Sequence, residues 1–235
     1  MREDIVSILS AGILAPSGEN CQPWRFKVID DNSFFLYNDP EADRSVYNFR
    51  QLGSYVAHGA AIENMEIKAM GLGLMSNTEL FPEGEDSNLV AKINLTREGG
   101  GVADPLEIAI EKRCTNRKPY DPAYRLSELE KSQFELVRKE GAISYFIENR
   151  ERIENIAKAI SISERVLFEN KELHDFFFNH VTWTKEEDET RRTGFFIDTL
   201  ELPAPAKAGF KLFRRWPVLN FMNKLGASKK VATEN

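Results

Sequence analysis

The chain has 235 residues, 42% of them hydrophobic, which is enough apolar material for one domain or for two closely packed lobes. Its formal net charge of -6 disfavours a general nucleic-acid-binding surface, and no apolar run is long enough to cross a bilayer. The two cysteines form neither a disulfide framework nor a zinc-binding pattern, and the acidic start Met1–Asp4 is unlike a signal peptide. We therefore expect a cytoplasmic protein without a metal site, a nucleic-acid partner or a membrane partner.

Hydrophobic periodicity predicts a helix followed by a β-hairpin at the start of the chain. The helix is predicted from about Glu3 to Ala15, and Pro16 ends it. Its apolar residues near one face are Ile5, Ile8, Leu9 and Ile13. Alternation of apolar and polar residues then predicts two strands, over 24–28 and 34–37.

A long helix and two further strands are predicted next. The helix is predicted over about 51–70, and its expected buried residues are Leu52, Val56, Ala60, Ile67 and Met70. Strands are predicted near 74–81 and 90–96. Three consecutive glycines over 99–101 predict a flexible join.

Two sets of capping residues predict the helices that follow. Asp104 and Pro105 are typical of a helix start, and this helix is predicted to end at Arg113. Ser127, with Glu130 three residues later, is the pattern of a capping box and predicts a second helix.

The rest of the chain is predicted to be mainly helical. Alternation over 143–147 predicts one strand. Helices are then predicted from Arg150 onward and over about 172–184. The apolar stripe of the first of these contains Ile153, Ile156, Ala157, Ile160 and Leu167.

A polar loop joins the first helix to the first strand. It contains the helix-breaking Pro16, then Ser17, Asn20 and Gln22, and we expect Trp24 to anchor its exit in the core. Such a loop can direct hydroxyl, amide and backbone N–H groups at one ligand. The alternative is an ordinary helix-to-strand turn whose polar residues satisfy its own backbone.

Two motifs resemble those of the nitroreductase family of FMN-dependent flavoproteins. The pattern Ala15-Pro16-Ser17-x-x-Asn20-x-Gln22-Pro23-Trp24-x-Phe26 resembles the loop that lies over FMN, and Arg113-Cys114-Thr115-Asn116-Arg117 resembles the flavin-phosphate motif. The cofactor-binding residues implied by this resemblance are Pro16, Ser17, Asn20, Gln22, Arg113, Thr115, Asn116 and Arg117. A guanidinium suits the phosphate dianion because it can donate to two oxygens at once. The alternative is a solvated basic turn at a helix C-terminus, where arginine also favours the helix dipole.

The order of the two motifs resembles a tandem branch of that family, in which one chain carries both halves of the fold. The resemblance implies an α+β fold, with an antiparallel-rich sheet packed with helices and halves at 1–102 and 103–235. We expect the second half to lack its C-terminal part, because the tail over 229–235 has no core pattern. The apolar segment before this tail is expected to mediate self-association or to be disordered, the alternative being a lid over the first half. Its large apolar residues are Phe210, Phe213, Trp216, Val218, Leu219, Phe221 and Met222.

The resemblance implies an oxidoreductase that passes hydride or electrons from NAD(P)H through FMN to nitroaromatic, quinone-like or other small acceptors. No catalytic residue is assigned, because the isoalloxazine carries the electrons in flavin enzymes. Two alternatives stay open: a flavin-binding or flavin-sequestering protein with little turnover, and a degenerate member that binds no flavin. From the residues alone, Cys21 could be a nucleophile with His58 as its base, although an incidental thiol and a packed histidine are the more usual interpretations.

Overall fold

The chain divides into two compact units. The computed structural model describes residues 2–97, 103–118, 120–136 and 143–226. The first unit comprises Met1–Thr115 with Asn179–Thr199, and the second comprises Asn116–Phe178 with Leu200–Asn235. The halves predicted from the sequence, 1–102 and 103–235, stay a prediction, because packing does not test homology between two segments.

Helices and one antiparallel sheet make up most of the described residues. The helices are α1 (Arg2–Gly12), α2 (Leu52–Gly71), α3 (Glu107–Lys112), α4 (Glu128–Leu136), α5 (Arg150–Glu169), α6 (Lys171–His180), α7 (Lys185–Arg191), α8 (Ala204–Phe213) and α9 (Trp216–Lys224). The strands are β1 (Trp24–Val28), β2 (Ser33–Asn38), β3 (Met75–Leu80), β4 (Leu89–Thr96), β5 (Val181–Thr182) and β6 (Phe195–Phe196). Short 3-10 turns cover Gly18–Asn20, Val46–Gln51 and Ile197–Leu200. This combination confirms the predicted α+β class.

Four strands of the first unit form an antiparallel sheet in the order β1-β2-β4-β3. Phe26 pairs with Leu36 across the predicted hairpin, and Leu36 pairs with Ala91 on the other side. Phe34 and Leu36 lie two residues apart and are both fully buried, as expected for one face of a strand that packs on helices. The predictions of the hairpin and of the two later strands are confirmed.

α1, α2 and the sheet share one buried apolar cluster. Ile5 and Ile8 of α1 and Met65 of α2 belong to it, together with Phe34 of the sheet. Trp24 belongs to the same cluster and is 5% exposed, which confirms that it anchors the exit of the polar loop. The polar loop is therefore attached to the core at both of its ends.

Parts of the predicted buried faces are exposed. Ile13 lies outside α1, which ends at Gly12, and its side chain is exposed. In α2, Leu52 and Val56 are exposed, Val56 to 75%. The buried side of α2 instead carries Ser54, Ala57, His58, Ala61, Met65, Ile67 and Ala69. Small residues here let α1 approach closely, so that a Cβ added at Gly12 would lie 2.8 Å from the Cγ of Met65.

Of the two predicted capping patterns, the one at Asp104 is wrong and the one at Ser127 is confirmed. α3 begins at Glu107, with Leu106 as its N-cap residue and no side-chain cap, because the Oδ1 of Asp104 accepts a hydrogen bond from the Leu106 N–H at 2.7 Å in a turn before the helix. The helix ends just before Arg113, as predicted. In the second unit, the Ser127 N–H donates to Glu130 Oε2 at 2.8 Å, and the Glu130 N–H donates to Ser127 Oγ at 3.2 Å. This reciprocal pair is a capping box, as predicted.

The predicted strand over 143–147 is wrong. These residues have no regular secondary structure, and Tyr145 is 80% exposed, since no strand among the described residues pairs with them. α5 begins at Arg150 as predicted, and the Asn149 side chain caps it. Its predicted apolar stripe is nevertheless exposed at Ile153, Ile156 and Ile160.

The apolar C-terminal segment is helical as far as Lys224, contrary to the expectation of disorder. Within the second unit the His174 ring lies 4.5 Å from the Phe178 ring and 5.2 Å from the Trp216 ring. His174 Nε2 also donates to the Phe213 carbonyl at 2.8 Å. Self-association through this segment stays a prediction, while the tail over 229–235 and the glycines over 99–101 lie outside the described residues.

α6 ends at His180, four residues earlier than predicted, because Val181 and Thr182 pair with Phe195 and Phe196 as a short parallel ladder in the first unit. Among the helices of the described ranges, none has both the length and the apolar character that a membrane crossing needs.

Candidate functional site

The polar loop folds into a tight turn between α1 and β1. Backbone hydrogen bonds from the Leu14 N–H to the Ala11 carbonyl and from the Ala15 N–H to the Gly12 carbonyl lead out of α1. The Oγ of Ser17 then accepts a hydrogen bond from the Gln22 N–H at 3.0 Å. Ser17 thus satisfies the backbone of its own loop, which is the role that the simpler interpretation predicts.

Three residues of this loop have left-handed backbone conformations without being glycine. Their φ angles are +42° for Glu19, +54° for Asn20 and +52° for Gln22. Asparagine tolerates this region better than glutamate or glutamine does, so the loop contains backbone strain that its surroundings must offset.

A distant turn supplies those surroundings. The Asn20 Nδ2 donates to the Gly194 carbonyl at 2.9 Å, and the Gln22 Nε2 donates to the Arg192 carbonyl at 2.6 Å. The Gly194 N–H in turn donates to the Asn20 carbonyl at 3.3 Å. The sequence did not indicate this contact. A glycine two residues beyond Arg192 is typical of a helix end, but it does not show that the turn will contact the polar loop.

Arg113 lies against the start of the same loop. Its Nη2 donates to the Leu14 carbonyl at 3.1 Å, across a separation of 99 residues. Arg113 is also the C-terminal cap of α3, where its N–H donates to the Ala109 carbonyl at 2.8 Å. The structure therefore brings the first arginine of the second motif to the edge of the first motif.

The remaining predicted cofactor-binding residues have varied surroundings. Pro16 and Thr115 belong to the first unit and are exposed. Asn116 and Arg117 belong to the second unit and are also exposed. There the Asn116 Oδ1 accepts a hydrogen bond from the Lys118 N–H at 3.1 Å, so this side chain helps to form its own turn. The cofactor roles of all eight predicted residues stay a prediction.

A cleft of about 530 Å³, lined by both polar and apolar side chains, lies beside Leu14 in the first unit. α1, α2 and α3 supply its walls, and Lys112, the residue before Arg113, lines it. In its wall the Lys68 Nζ lies 2.7 Å from the Glu107 Oε1, as a half-buried ion pair. The cleft thus lies next to both motifs, because Leu14 and Lys112, the residues immediately before them, line it.

Two ionisable groups of the loop, the Glu19 carboxyl and the Cys21 thiol, have raised pKa values. Burial raises the pKa of Glu19, and the nearby Asp43 carboxylate raises it further, while His180 opposes this. Burial also raises the pKa of the Cys21 thiol to about 12, with Asp43 and Glu19 adding to the effect. The ligand atoms of Glu19, Cys21 and Asp43 lie within 4.8 Å of one another, yet the raised pKa of the Cys21 thiol disfavours the thiolate that would bind a cation.

The nucleophile alternative is disfavoured by the same observations. A thiol acts as a nucleophile through its thiolate, and a pKa of about 12 leaves Cys21 protonated at neutral pH. His58 is fully buried, with its Nε2 3.0 Å from the Asn38 Oδ1. It is a packed histidine in a polar network, as the simpler interpretation predicts.

Comparison with known proteins gives distant relatives. No family model matches the chain. Over 212 residues, 90% of its length, the chain is 26% identical to "Uncharacterized protein MT1398" of Mycobacterium tuberculosis. Over 119 residues, 50% of its length, it is 27% identical to "Putative NAD(P)H nitroreductase Rv3131" of the same organism. These matches cover 29% and 34% of the two relatives, so the chain spans about a third of their length.

Solved structures similar to the chain come from the nitroreductase family. An FMN-dependent nitroreductase from Clostridium difficile R20291 is 18% identical, with a TM-score of 0.33, and the match covers 49% of this chain and 88% of that one. A nitroreductase family protein from Clostridium difficile 630 is 16% identical, with a TM-score of 0.36 and coverage of 53% and 88%. The structural neighbours are thus nitroreductase family proteins, and a distant nitroreductase relative is found by sequence.

Proposed function

We propose that this chain binds FMN between the polar loop and the Arg113 motif and acts as a nitroreductase-like oxidoreductase. The observation that carries the proposal is the hydrogen bond from the Arg113 Nη2 to the Leu14 carbonyl. It connects Arg113, the first residue of one motif, to Leu14, the residue immediately before the other, and the two motifs resemble the two flavin-binding motifs of one family. A relative named as an NAD(P)H nitroreductase supports the same class of activity.

The donor groups at this place suit a flavin phosphate. A guanidinium has five N–H donors, and Arg113 uses one of them on the Leu14 carbonyl while its side chain stays exposed. The Thr115 hydroxyl, two residues later, adds a neutral donor, and Asn116 and Arg117 continue the motif. Charge-assisted hydrogen bonds of this kind are the strongest that a protein offers to a phosphate.

Each part of the chain has a defined task in the proposed reaction. FMN, when bound, supplies the hydride and electron transfer from NAD(P)H to a nitroaromatic, quinone-like or other small acceptor. Arg113 and Thr115 hold the phosphate, and the amides of Asn20 and Gln22 orient the flavin. Pro16 and Ser17 shape the loop that carries these amides.

The visible spectrum of the full chain tests this proposal. Purified protein, or protein reconstituted with FMN, is expected to be yellow and to bleach when NADPH or NADH is added without oxygen. Reoxidation by a nitroaromatic or a quinone should restore the colour. A yellow protein that neither donor bleaches would instead indicate a flavin-binding protein with little turnover, and a chain that cannot be reconstituted would contradict flavin binding altogether.

A further inference from the structure

The turn formed by Arg192, Thr193 and Gly194, called here the 192–194 turn, accepts hydrogen bonds from the polar loop through two backbone carbonyls. Carbonyl oxygens accept hydrogen bonds and do not donate them, so the atoms that face them must be amide nitrogens. The contacts at 2.9 Å and 2.6 Å therefore identify the Asn20 Nδ2 and the Gln22 Nε2, and they fix which way round each amide lies. Both side chains donate to backbone carbonyls, whose positions do not change when a side chain adopts another rotamer.

The 192–194 turn is itself rigidly built. It follows α7, whose first turn is capped by Thr184, and the Arg192 N–H donates to the Asp188 carbonyl at 2.9 Å. The buried Thr182 Oγ1 donates to the Asp188 Oδ1 at 2.8 Å, which connects the middle of α7 to β5. Immediately after the turn, β6 pairs with β5. The turn is thus attached to the first unit on both sides.

Gly194 is the residue that makes this arrangement possible. Its φ angle is +83°, in the left-handed region that favours glycine. A Cβ added here would lie 2.2 Å from the His180 carbonyl oxygen, a backbone atom that cannot move aside alone. Any other residue at this position must displace the turn, and with it the two carbonyls that hold the loop.

We infer that the 192–194 turn is the positioning element of the flavin site, fixing the amides of Asn20 and Gln22 before FMN arrives, and that Gly194 is required for it. This inference rests on the proposed function. In this role the side chains of the turn do not contact FMN. The turn acts by positioning the two amides. The Asn20 Nδ2 also donates to the Arg192 carbonyl at 3.5 Å, so Asn20 offers the isoalloxazine edge its amide oxygen, while Gln22 offers its oxygen and a second N–H. A loop held in advance loses less freedom on binding than a loop that FMN must order.

Two mild variants with matched controls test the inference in the full chain. Gly194→Ala is compared with Gly209→Ala, because a Cβ at Gly209 meets nothing within 4 Å. Thr182→Val, which removes the hydrogen bond to Asp188 and keeps the side-chain shape, is compared with Thr78→Val, which removes the equivalent bond to Glu66 in α2. Fluorescence titration with FMN gives the affinity, and NMR of the side-chain amide groups of Asn20 and Gln22 reports on the contact without FMN.

Gly194→Ala is expected to weaken FMN binding roughly tenfold and Thr182→Val several-fold, with the amide signals of Asn20 and Gln22 shifted in both. The two controls should keep the affinity and the signals of the unmodified chain. If Gly194→Ala does not fold, Thr182→Val alone decides. Unchanged FMN affinity in the folded variants overturns the inference and leaves the proposed function standing. An unmodified chain that takes up no FMN overturns the proposed function, and this inference falls with it.

Discussion

Arg113 has a contact within the fold and, in the proposed function, a contact with the flavin phosphate. One N–H of its guanidinium donates to the Leu14 carbonyl at 3.1 Å, and the residue is exposed. Removing it costs little buried area, because the residue is a helix cap on the surface. Its replacement therefore separates ligand binding from stability.

Arg113→Ala is predicted to weaken FMN binding by about 1.5–3 kcal/mol, the usual scale of a hydrogen bond to a charged group. Riboflavin lacks the phosphate, so its affinity should change far less. Fluorescence titration with both ligands checks this, with Arg97→Ala as the control, since Arg97 is an exposed arginine of the same unit that pairs with Asp4. Equal losses for FMN and riboflavin would contradict the phosphate role.

His58 is a second residue whose protonation can be deduced from its neighbours. The Asn38 Nδ2 donates to the Gln51 Oε1 at 3.1 Å, which turns the Asn38 Oδ1 toward the ring. An acceptor at that place requires the proton on Nε2 of His58. The Nδ1 is then unprotonated and carries a lone pair, and it is buried without a hydrogen-bond partner among the described residues. Protonating it would place a charged donor in the core with no acceptor.

Acidification is therefore predicted to destabilise the first unit. Burial lowers the pKa of His58 from 6.5 to about 4, so the unfolded chain binds a proton that the folded chain does not. The free energy of unfolding is therefore unaffected by the protonation of His58 above pH 6.5, and it decreases by about 3 kcal/mol as the pH falls from 6.5 to 4. Urea unfolding at several pH values measures this slope. In His58→Asn the slope between pH 6.5 and 4 should be clearly smaller, and an equal slope would contradict the prediction.

At this scale the sequence predicts whether a single side chain is buried or lies in a loop. It does not predict which distant residue that side chain contacts. Trp24 could be placed in the core because it alternates with charged residues along a strand. The amides of Asn20 and Gln22 could be assigned to a polar loop, but not to carbonyls 170 and 174 residues away. No local pattern records which backbone oxygen a side chain will meet after folding.

Among the elements, α4 has a start that depends on the side chain of Ser127. Ser127 and Glu130 form the capping box that satisfies N–H groups at its first turn. Ser127→Ala is predicted to cost about 1 kcal/mol of helix stability, seen as faster hydrogen exchange over 128–132. Ser132→Ala is the control, because its Oγ donates to the Leu129 carbonyl inside the helix and caps nothing. Similar exchange in the two variants would contradict the capping role.

The packing of α1 on α2 gives a prediction that depends on two residues together. A Cβ at Gly12 would lie 2.8 Å from the Met65 Cγ, so Gly12→Ala is predicted to destabilise the chain, by about 1 kcal/mol. Met65→Ala should cost about 2–5 kcal/mol, because Met65 is 2% exposed. In the Met65→Ala background the added methyl group has space, and Gly12→Ala should become neutral or stabilising. Additive effects in thermal unfolding would show that the helices do not meet here.

The errors at the element scale have one physical source. Alternation over 24–28 predicts a strand correctly because β2 lies beside it, whereas the same alternation over 143–147 finds no partner strand in the described residues. In α2, large residues at 52 and 56 suggested the buried side, but the close approach of α1 selects the side with small residues. Periodicity finds an element, and its neighbours decide which face is covered.

For the whole molecule, self-association through the C-terminal segment stays a prediction. The structure identifies which apolar residues of this segment are exposed and could form the contact. Leu212, Phe221 and Leu225 are exposed, while the other rings of the segment are at least partly covered. Phe221→Ser with Leu225→Ser is predicted to lower the mass measured by light scattering at high protein concentration, because exposed apolar area drives such association. Leu80→Ser, which changes an exposed leucine of β3, should leave that mass unchanged. A chain that stays monomeric over the whole concentration range would exclude this route.

The discontinuity of the first unit also has a consequence during synthesis. Asn20 leaves the ribosome 174 residues before Gly194 does, and at about 5–20 residues per second this interval lasts roughly 9–35 s. During that time the strained loop has no carbonyl to hold its amides, so its donors face water. Under the proposed function, a nascent chain halted before Gly194 is therefore expected to remain colourless in the presence of FMN, and flavin binding is expected only after most of the chain has been synthesised.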